Sequence, residues 1–262
     1  MKNDLIDVGC KVNIFGIKVD SLDMYGAVNL LSNWLNVDAR LCRYVVTPNT
    51  DHIVKLDSNI NFRSAYNKAA LILADGFPLV IASKMFGNPL PGTVPGSDLV
   101  PALFDYFQND LAKDLTIFLL GAAPGVADRA SLKIQAKWPR VKVVGTLSPA
   151  FGFELDQAEC EHICRVVAKS GADLLVLGLG APKQELWISK YSKQLPVKVA
   201  LCVGATIDFL AEEKPRAPIW MRSFGLEWFH RMASEPRRLA GRYLKDAIIF
   251  PKIILKEWIS RR

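Results

Sequence analysis

Nothing in the 262-residue sequence approaches the run of about 18 apolar residues that crosses a bilayer, because the longest hydrophobic stretches are broken by charge or proline. The N-terminus, Met1-Lys2-Asn3-Asp4, does not open into an apolar signal core, so a cytoplasmic location is expected. The five cysteines, Cys10, Cys42, Cys160, Cys164 and Cys202, are odd in number and lack the paired short spacing of a zinc or redox motif. They read as small buried apolar residues, with Cys160 and Cys164 on one helix face as a packing pair. Histidine is scarce, and His52, His162 and His230 form no His-x-x-x-His pair.

Two chemical signatures are missing as well. There is no Asp-x-Asp triplet to hold a divalent cation against a diphosphate; Glu154-Leu155-Asp156 comes nearest, at a helix start where capping is the expected use. The full Gly-x-Gly-x-x-Gly fingerprint is absent because Gly178-Leu179-Gly180 runs into Ala181-Pro182-Lys183, which disfavours a nicotinamide cofactor and oxidoreductase chemistry. No metal and no cofactor are expected. Any phosphate charge then falls to backbone amides, helix N-termini and Arg or Lys.

What is present is a composition for folding, with hydrophobic residues at 50% and charged residues at 23%. The length suits one large domain, or a domain with an appendage. The net charge of +7 is local. From Lys214 onward there are twelve Lys or Arg and four Asp or Glu, which leaves 21 basic and 22 acidic residues in the rest of the chain. A tail carrying all the excess charge points to an anionic partner, membrane or nucleic acid.

Strand-length apolar runs alternate with amphipathic helical stretches over the first two hundred residues. The strands are expected at Arg43-Tyr44-Val45-Val46, Leu71-Ile72-Leu73, Thr116 to Leu120, Val141 to Val144, Leu174 to Leu177 and Val197 to Leu201. Met24 to Trp34 and Val126 to Trp138 repeat apolar residues at helical spacing. The expected fold is α/β, a Rossmann-like, mainly parallel sheet with flanking helices over residues 1–213 and a helical appendage over 214–262. In the appendage, Pro215, Pro218, Pro236 and Pro251 divide Ile219 to Ser234, Arg237 to Phe250 and a short last piece from Lys252. Trp220, Trp228 and Trp258 lie there among arginines and lysines, a mixture suited to an anionic membrane interface. Ile248-Ile249-Phe250 and Ile253-Ile254-Leu255 serve nucleic-acid phosphates poorly, so no nucleic-acid partner is expected. A helical pair packed on the core with a solvated basic face, or a homo-oligomer contact, would use the same residues.

Ligands in parallel sheets bind beyond the carboxyl ends of the strands. Five such junctions carry glycine, small polar or acidic residues: Thr47-Pro48-Asn49-Thr50-Asp51, Ala74-Asp75-Gly76, Gly121-Ala122-Ala123-Pro124-Gly125, Gly178 to Glu185, and Gly204-Ala205-Thr206-Ile207-Asp208. Each alone is ordinary turn chemistry; five at one edge suit a ligand groove. Asp75 stands out as a base at the sheet edge, with helix capping as its other use. Thr47 and Asn49, on a neighbouring loop, are placed to orient it or hold a hydroxyl. Gly178, Gly180, Lys183 and Gln184 read as a diphosphate or uridine cradle at a helix start.

Six blocks in order resemble the WecG/TagA/CpsF glycosyltransferases over essentially the whole chain. They are Thr47 to Asp51, Ala74 to Val80, Pro95-Gly96-Ser97-Asp98-Leu99, Gly178 to Glu185, Val203 to Phe209, and Arg216-Ala217-Pro218 through Gly225-Leu226-Glu227-Trp228 to Leu239. The resemblance implies a metal-independent, inverting enzyme of cell-surface polysaccharide biosynthesis. Members move N-acetylmannosamine, its uronic acid or a related hexose such as glucose from UDP to a polyprenyl-diphosphate-linked saccharide. It implies Asp75 as base, Thr47 and Asn49 near the donor sugar, and Gln184 in donor binding. Gly121, Gly178, Gly180, Lys183 and Asp208 are expected on the donor side, and Ser97 and Asp98 on the acceptor and diphosphate side with Arg231, Arg237 or Arg238. The appendage is expected to close the site and to hold the enzyme on the cytoplasmic face of the membrane. One departure is Ala205-Thr206, where the family often has a second glycine.

Overall fold

An antiparallel hairpin that the apolar-run pattern does not reveal comes first, β1 (Lys11–Ile14) and β2 (Ile17–Asp20). Its two-residue turn, Phe15-Gly16, has φ of 54° and 72°, the left-handed pair whose twist suits a tight hairpin. The computed structural model describes residues 10–110, 113–223 and 225–261. Beyond the hairpin, β3 (Arg43–Val46), β4 (Leu71–Ile72), β5 (Leu115–Gly121), β6 (Val141–Leu147), β7 (Leu174–Gly178) and β8 (Val199–Cys202) form a six-stranded parallel sheet in the order β4-β3-β8-β7-β5-β6. All six expected strands are present, with boundaries moved by a few residues at most. The hairpin guards the β4 edge: the Asp20 carboxylate accepts the Ile72 backbone N–H at 2.8 Å, so that edge is not left open.

Consecutive apolar residues in these strands serve opposite faces. Val45, Ile117, Leu119, Leu174, Val176 and Leu201 enter one core, whereas Tyr44, Val46, Phe118, Leu120, Leu175 and Cys202 enter the other. A sheet covered on both sides therefore reads as continuous hydrophobic runs. The helices are α1 (Met24–Asn36), α2 (Thr50–Ser58), α3 (Ile60–Asn67), α4 (Phe77–Met85), α5 (Gly96–Asn109), α6 (Val126–Lys137), α7 (Gln157–Ser170), α8 (Lys183–Tyr191) and α9 (Thr206–Leu210). Helices α1, α5, α6 and α9 cover one face, and α2, α3, α4, α7 and α8 the other. Asp156 caps α7 by accepting from the Ala158 and Glu159 amides, the use expected of it. Cys160, Cys164 and Cys202 are buried, but Cys10, just ahead of β1, is exposed and Cys42, leading into β3, is half-buried, against expectation.

The appendage corrects the sequence reading twice. Ile219 to Ser234 is not one helix but α10 (Ile219–Ser223) and α11 (Glu227–Ser234), separated at Gly225, whose φ of 71° breaks the helical path. Pro251 does not end a helix either, for α12 runs unbroken from Pro236 to Ser260. An interior proline costs a helix about 3 kcal/mol. Burial of Phe250 and Ile253 on either side of it offsets that cost, with the Phe250 ring 5.5 Å from Phe15 of the hairpin turn. Helix α12 lies along α2, and Lys256 reaches Asp57 at 3.2 Å. The appendage is thus packed onto the body's own core. Among the described residues no helix is long and apolar enough to cross a membrane.

Candidate active site

The carboxyl ends of the parallel strands lie along one edge of the sheet, where ligands of such sheets bind. A cleft of about 360 Å³ opens there, lined by the turns after β3, β4 and β8 and by α11 and α12. Three backbone bonds hold the turn after β4: Leu73 N–H to the Val46 carbonyl at 3.0 Å, Asp75 N–H to the Pro48 carbonyl at 2.8 Å, and Val94 N–H to the Ala74 carbonyl at 2.7 Å. Gly76, at φ 132°, is the α4 cap residue and makes no side-chain cap bond, so Asp75 is not spent on capping.

Asp75 lines the cleft. Burial pushes its carboxyl up to about 7; the Glu227 and Asp98 carboxylates push the same way, and the Arg231 guanidinium opposes them. Asn49 lines the cleft beside it and caps α2, its Oδ1 accepting the His52 N–H at 3.2 Å. Thr47 is buried and its hydroxyl donates to the Cys202 carbonyl at 3.2 Å, pinning the end of β3 to that of β8. The loops that carry Asn49 and Asp75 are therefore neighbours, and Thr47 stands behind them rather than on the cleft wall.

The arginines are sorted by helix phase. Asp98 Oδ1 accepts from Arg216 at 2.9 Å and from Arg222 at 2.8 Å, and Ser97 Oγ accepts from Arg216 at 3.1 Å. Arg222 and Arg231 line the cleft, and the Arg231 guanidinium lies 5.7 Å from the Phe209 ring. Arg237 and Arg238 do not line it; both are exposed, and Arg238 pairs with Glu235 at 2.6 Å. The inward stripe of α12 is Leu239, Tyr243, Asp246 and Phe250, and residues 237 and 238 fall off it. Arg242 is in phase and lines the cleft.

The glycine turns stand at the same edge but form a separate group. A Cβ on Gly121 would sit 2.5 Å from the Gly178 carbonyl carbon, and one on Gly178 would sit 3.0 Å from the Gly204 oxygen. Three backbones thus meet where no side chain fits. Gln184 is buried; its Nε2 donates to Glu185 at 2.8 Å and its Oε1 accepts the Gly204 N–H at 3.3 Å, joining α8 to the turn whose Val203 and Ala205 line the cleft. Lys183 turns toward Phe151, 4.6 Å from its ring, and Glu154. Gly180 has open space around it and φ of 78°. Asp208 faces Lys214 at 3.7 Å, with its carboxyl raised chiefly by burial.

Several site groups were given no role by the motifs, whether inside or outside them. Glu185, fully buried, is pushed up to about 7 by burial, and its Oε2 has no hydrogen-bond partner among the described residues. His52 is buried with Nδ1 2.6 Å from the Tyr66 hydroxyl, and burial lowers its pKa to about 4, so it is neutral. Trp228, Tyr243 and Asp246 line the cleft from the appendage. The one signal for Asp246 was its place as a lone acid between Arg242, Lys245 and Lys252. Altogether the cleft joins a carboxyl titrating near neutrality, guanidinium groups and aromatic rings. That set can take a proton from a hydroxyl, meet phosphate charge and hold a sugar face.

Known proteins resemble the chain in sequence. The chain is similar to the N-acetylglucosaminyldiphosphoundecaprenol N-acetyl-beta-D-mannosaminyltransferase of Bacillus spizizenii strain W23, 30% identical over 195 residues that cover 74% of this chain and 72% of that protein. It is 28% identical over 246 residues to the enzyme of the same name from Staphylococcus aureus strain MRSA252, covering 94% of this chain and 92% of the other. A family profile, Glycosyl transferase WecG/TagA/CpsF family, matches residues 12–262, from the hairpin to the end of the chain. The chain belongs to the WecG/TagA/CpsF family of glycosyl transferases.

Proposed function

We propose that the protein transfers an N-acetylmannosamine-type hexose from a UDP-sugar to a polyprenyl-diphosphate-linked saccharide, with inversion and without a metal ion. The observation that carries this reading is Asp75, a carboxyl pushed up to about 7 on the wall of a cleft that also holds Arg222 and Arg231. Asp75 takes the proton from the acceptor hydroxyl. The freed oxygen attacks the anomeric carbon from the face opposite the diphosphate, and the bond to UDP breaks as the new glycosidic bond forms. Arg222 and Arg231, with the amides of the Gly178 to Gln184 turn, meet the charge on the departing UDP. Arg222 and Arg231 on the lining are the groups that favour the guanidinium route. The acceptor follows the relatives, whose names specify a diphosphoundecaprenol-linked N-acetylglucosamine.

The appendage brings the enzyme to that lipid at the cytoplasmic face of the membrane. Leu244, Ile248, Leu255, Trp258 and Ile259 are exposed along α12 beside its lysines, a surface for an anionic bilayer. Incubation with UDP-N-acetylmannosamine and the lipid acceptor, with EDTA present, tests the whole reading: product with an inverted anomeric centre is expected. Transfer that stops on chelation and returns with a divalent ion sinks the metal-free mechanism, and transfer from no UDP-sugar sinks the function.

A further inference from the structure

Asp246 is an unusual residue to find where it is. It sits on α12 against α2, only 4% exposed, on the cleft lining, and its Oδ1 has no hydrogen-bond partner among the described residues. The acid nearest in influence is Asp51, also on the lining, whose own cation is Lys55 at 2.5 Å. Burial, then Asp51, pushes the Asp246 carboxyl up to about 6, against the opposing pull of Arg242, Lys55 and Lys245. A buried acceptor left unmade is costly.

The next residue adds a second acceptor. Pro251 brings no N–H for the Ala247 carbonyl, one helical turn earlier, and both residues line the cleft. The same stripe of α12 carries Tyr243 one turn before Asp246 and Phe250 one turn after, and the Tyr243 ring packs 5.8 Å from Trp228. Two hydrogen-bond acceptors between aromatic rings match a polyol with apolar faces and outward O–H or N–H donors. They do not match a phosphate, which has only acceptors to offer.

We propose that Asp246 and the Ala247 carbonyl form a sugar-reading subsite, accepting hydrogen bonds from hydroxyl or acetamido N–H groups of a sugar ring seated against Tyr243 and Phe250. This rests on the glycosyl-transfer reading and adds to it a specificity-determining residue on the appendage. Donor and acceptor both bring a sugar, and the experiment separates them.

Affinities of the full-length protein are measured for two pairs: UDP-N-acetylmannosamine against UDP, and a short-chain prenyl diphosphate with N-acetylglucosamine against the same prenyl diphosphate without it. In the wild type the sugar should improve binding in at least one pair. Asp246→Leu should remove that improvement by about tenfold or more, leaving the sugarless ligand unaffected, and the pair that changes identifies the ring being read. Should Asp246→Leu fail to fold, Asp246→Asn carries the test, with an expected loss of about threefold or more. A merely structural role would move both members of a pair together. Ratios unchanged by the substitution, or a wild type that gains nothing from either sugar, overturn the subsite. Transfer activity measured in parallel keeps the two ideas apart: a protein that transfers sugar with unchanged ratios refutes the subsite alone.

Discussion

Asp75 donates its backbone N–H to the carbonyl of Pro48 at 2.8 Å, so the acidic turn after β4 is fastened to the turn after β3 that bears Asn49. β4 has only two residues, too few to fix a side chain by strand pairing alone. The crosslink between turns supplies what the strand lacks, and the Val94 N–H on the Ala74 carbonyl adds a third anchor. A base positioned in this way is held before substrate arrives.

Replacing that base gives the first expected outcome. Asp75→Asn keeps the shape of the turn but cannot accept a proton, so turnover should fall by about 10²–10⁴ while UDP-sugar binding persists. The carboxyl must be ionised to act, and its pKa is raised to about 7, so wild-type kcat/KM should rise as pH climbs through that value. Steady-state rates from pH 5 to 9 report both effects. A variant of near-normal turnover, or a wild-type profile flat through neutrality, would remove Asp75 from the mechanism.

Glu185 offers a stability test. Its folded pKa of about 7 lies above its ordinary 4.5, so the folded state holds the proton more tightly. Its contribution to stability is complete below about pH 4.5 and is lost as pH rises through about 7. Glu185→Gln stays neutral and still offers an acceptor to Gln184. The melting temperature of the variant relative to wild type should therefore increase from pH 5 to pH 8, then level off. Asp75 and His52 titrate in both proteins and cancel in the difference. A difference independent of pH would show that Glu185 is ionised throughout.

The strands and the acidic junction were legible because each rests on a local pattern, and the parallel direction followed from strands alternating with helices. A fully buried strand needs no partner to be recognised: Leu174 to Leu177 is apolar throughout, as a strand covered on both faces must be. The hairpin was not, although Val12, Ile14, Ile17 and Val19 alternate around Gly16, since eight residues give a weak period. Pro251 misled because local propensity ends a helix there, whereas Phe250 and Ile253 are fixed by distant contacts with the hairpin core. The arginine choice failed to separate Arg231 from Arg237 and Arg238 for a similar reason. Arg231 stands on α11, whereas Arg237 and Arg238 stand on α12, whose phase is set by Leu239 and Phe250 meeting the body and turns both away from the cleft.

Asp98 links the body to the appendage through Arg216 and Arg222, both on one carboxylate oxygen. Asp98→Ala should loosen α10 and withdraw Arg222 from the cleft. All three side chains are about a quarter to a third exposed, so the loss in stability should be about 1 kcal/mol, or about 2–4 °C in melting temperature. The larger effect is expected in KM and in protease cleavage between residues 214 and 226. Unchanged KM and cleavage would mean that the two ion pairs do not position the segment.

Membrane attachment is best tested by leaving the inward face of α12 alone. Truncation near Glu213 would strip Phe250 and Ile253 from the core and confuse lost docking with lost lipid contact. Ile248 and Leu255 are 54% and 56% exposed and touch the outward face only, so Ile248→Asp with Leu255→Asp should leave the fold intact. Each buried aliphatic side chain contributes about 1.5–3 kcal/mol on leaving water, so flotation with anionic vesicles should weaken by at least about tenfold. High salt should weaken wild-type binding as well, because lysine contacts with headgroups are screened within about 10 Å at 0.1 M, while the apolar part persists. Equal flotation of the double variant and wild type, with folding verified by circular dichroism, would assign the exposed stripe to something other than lipid.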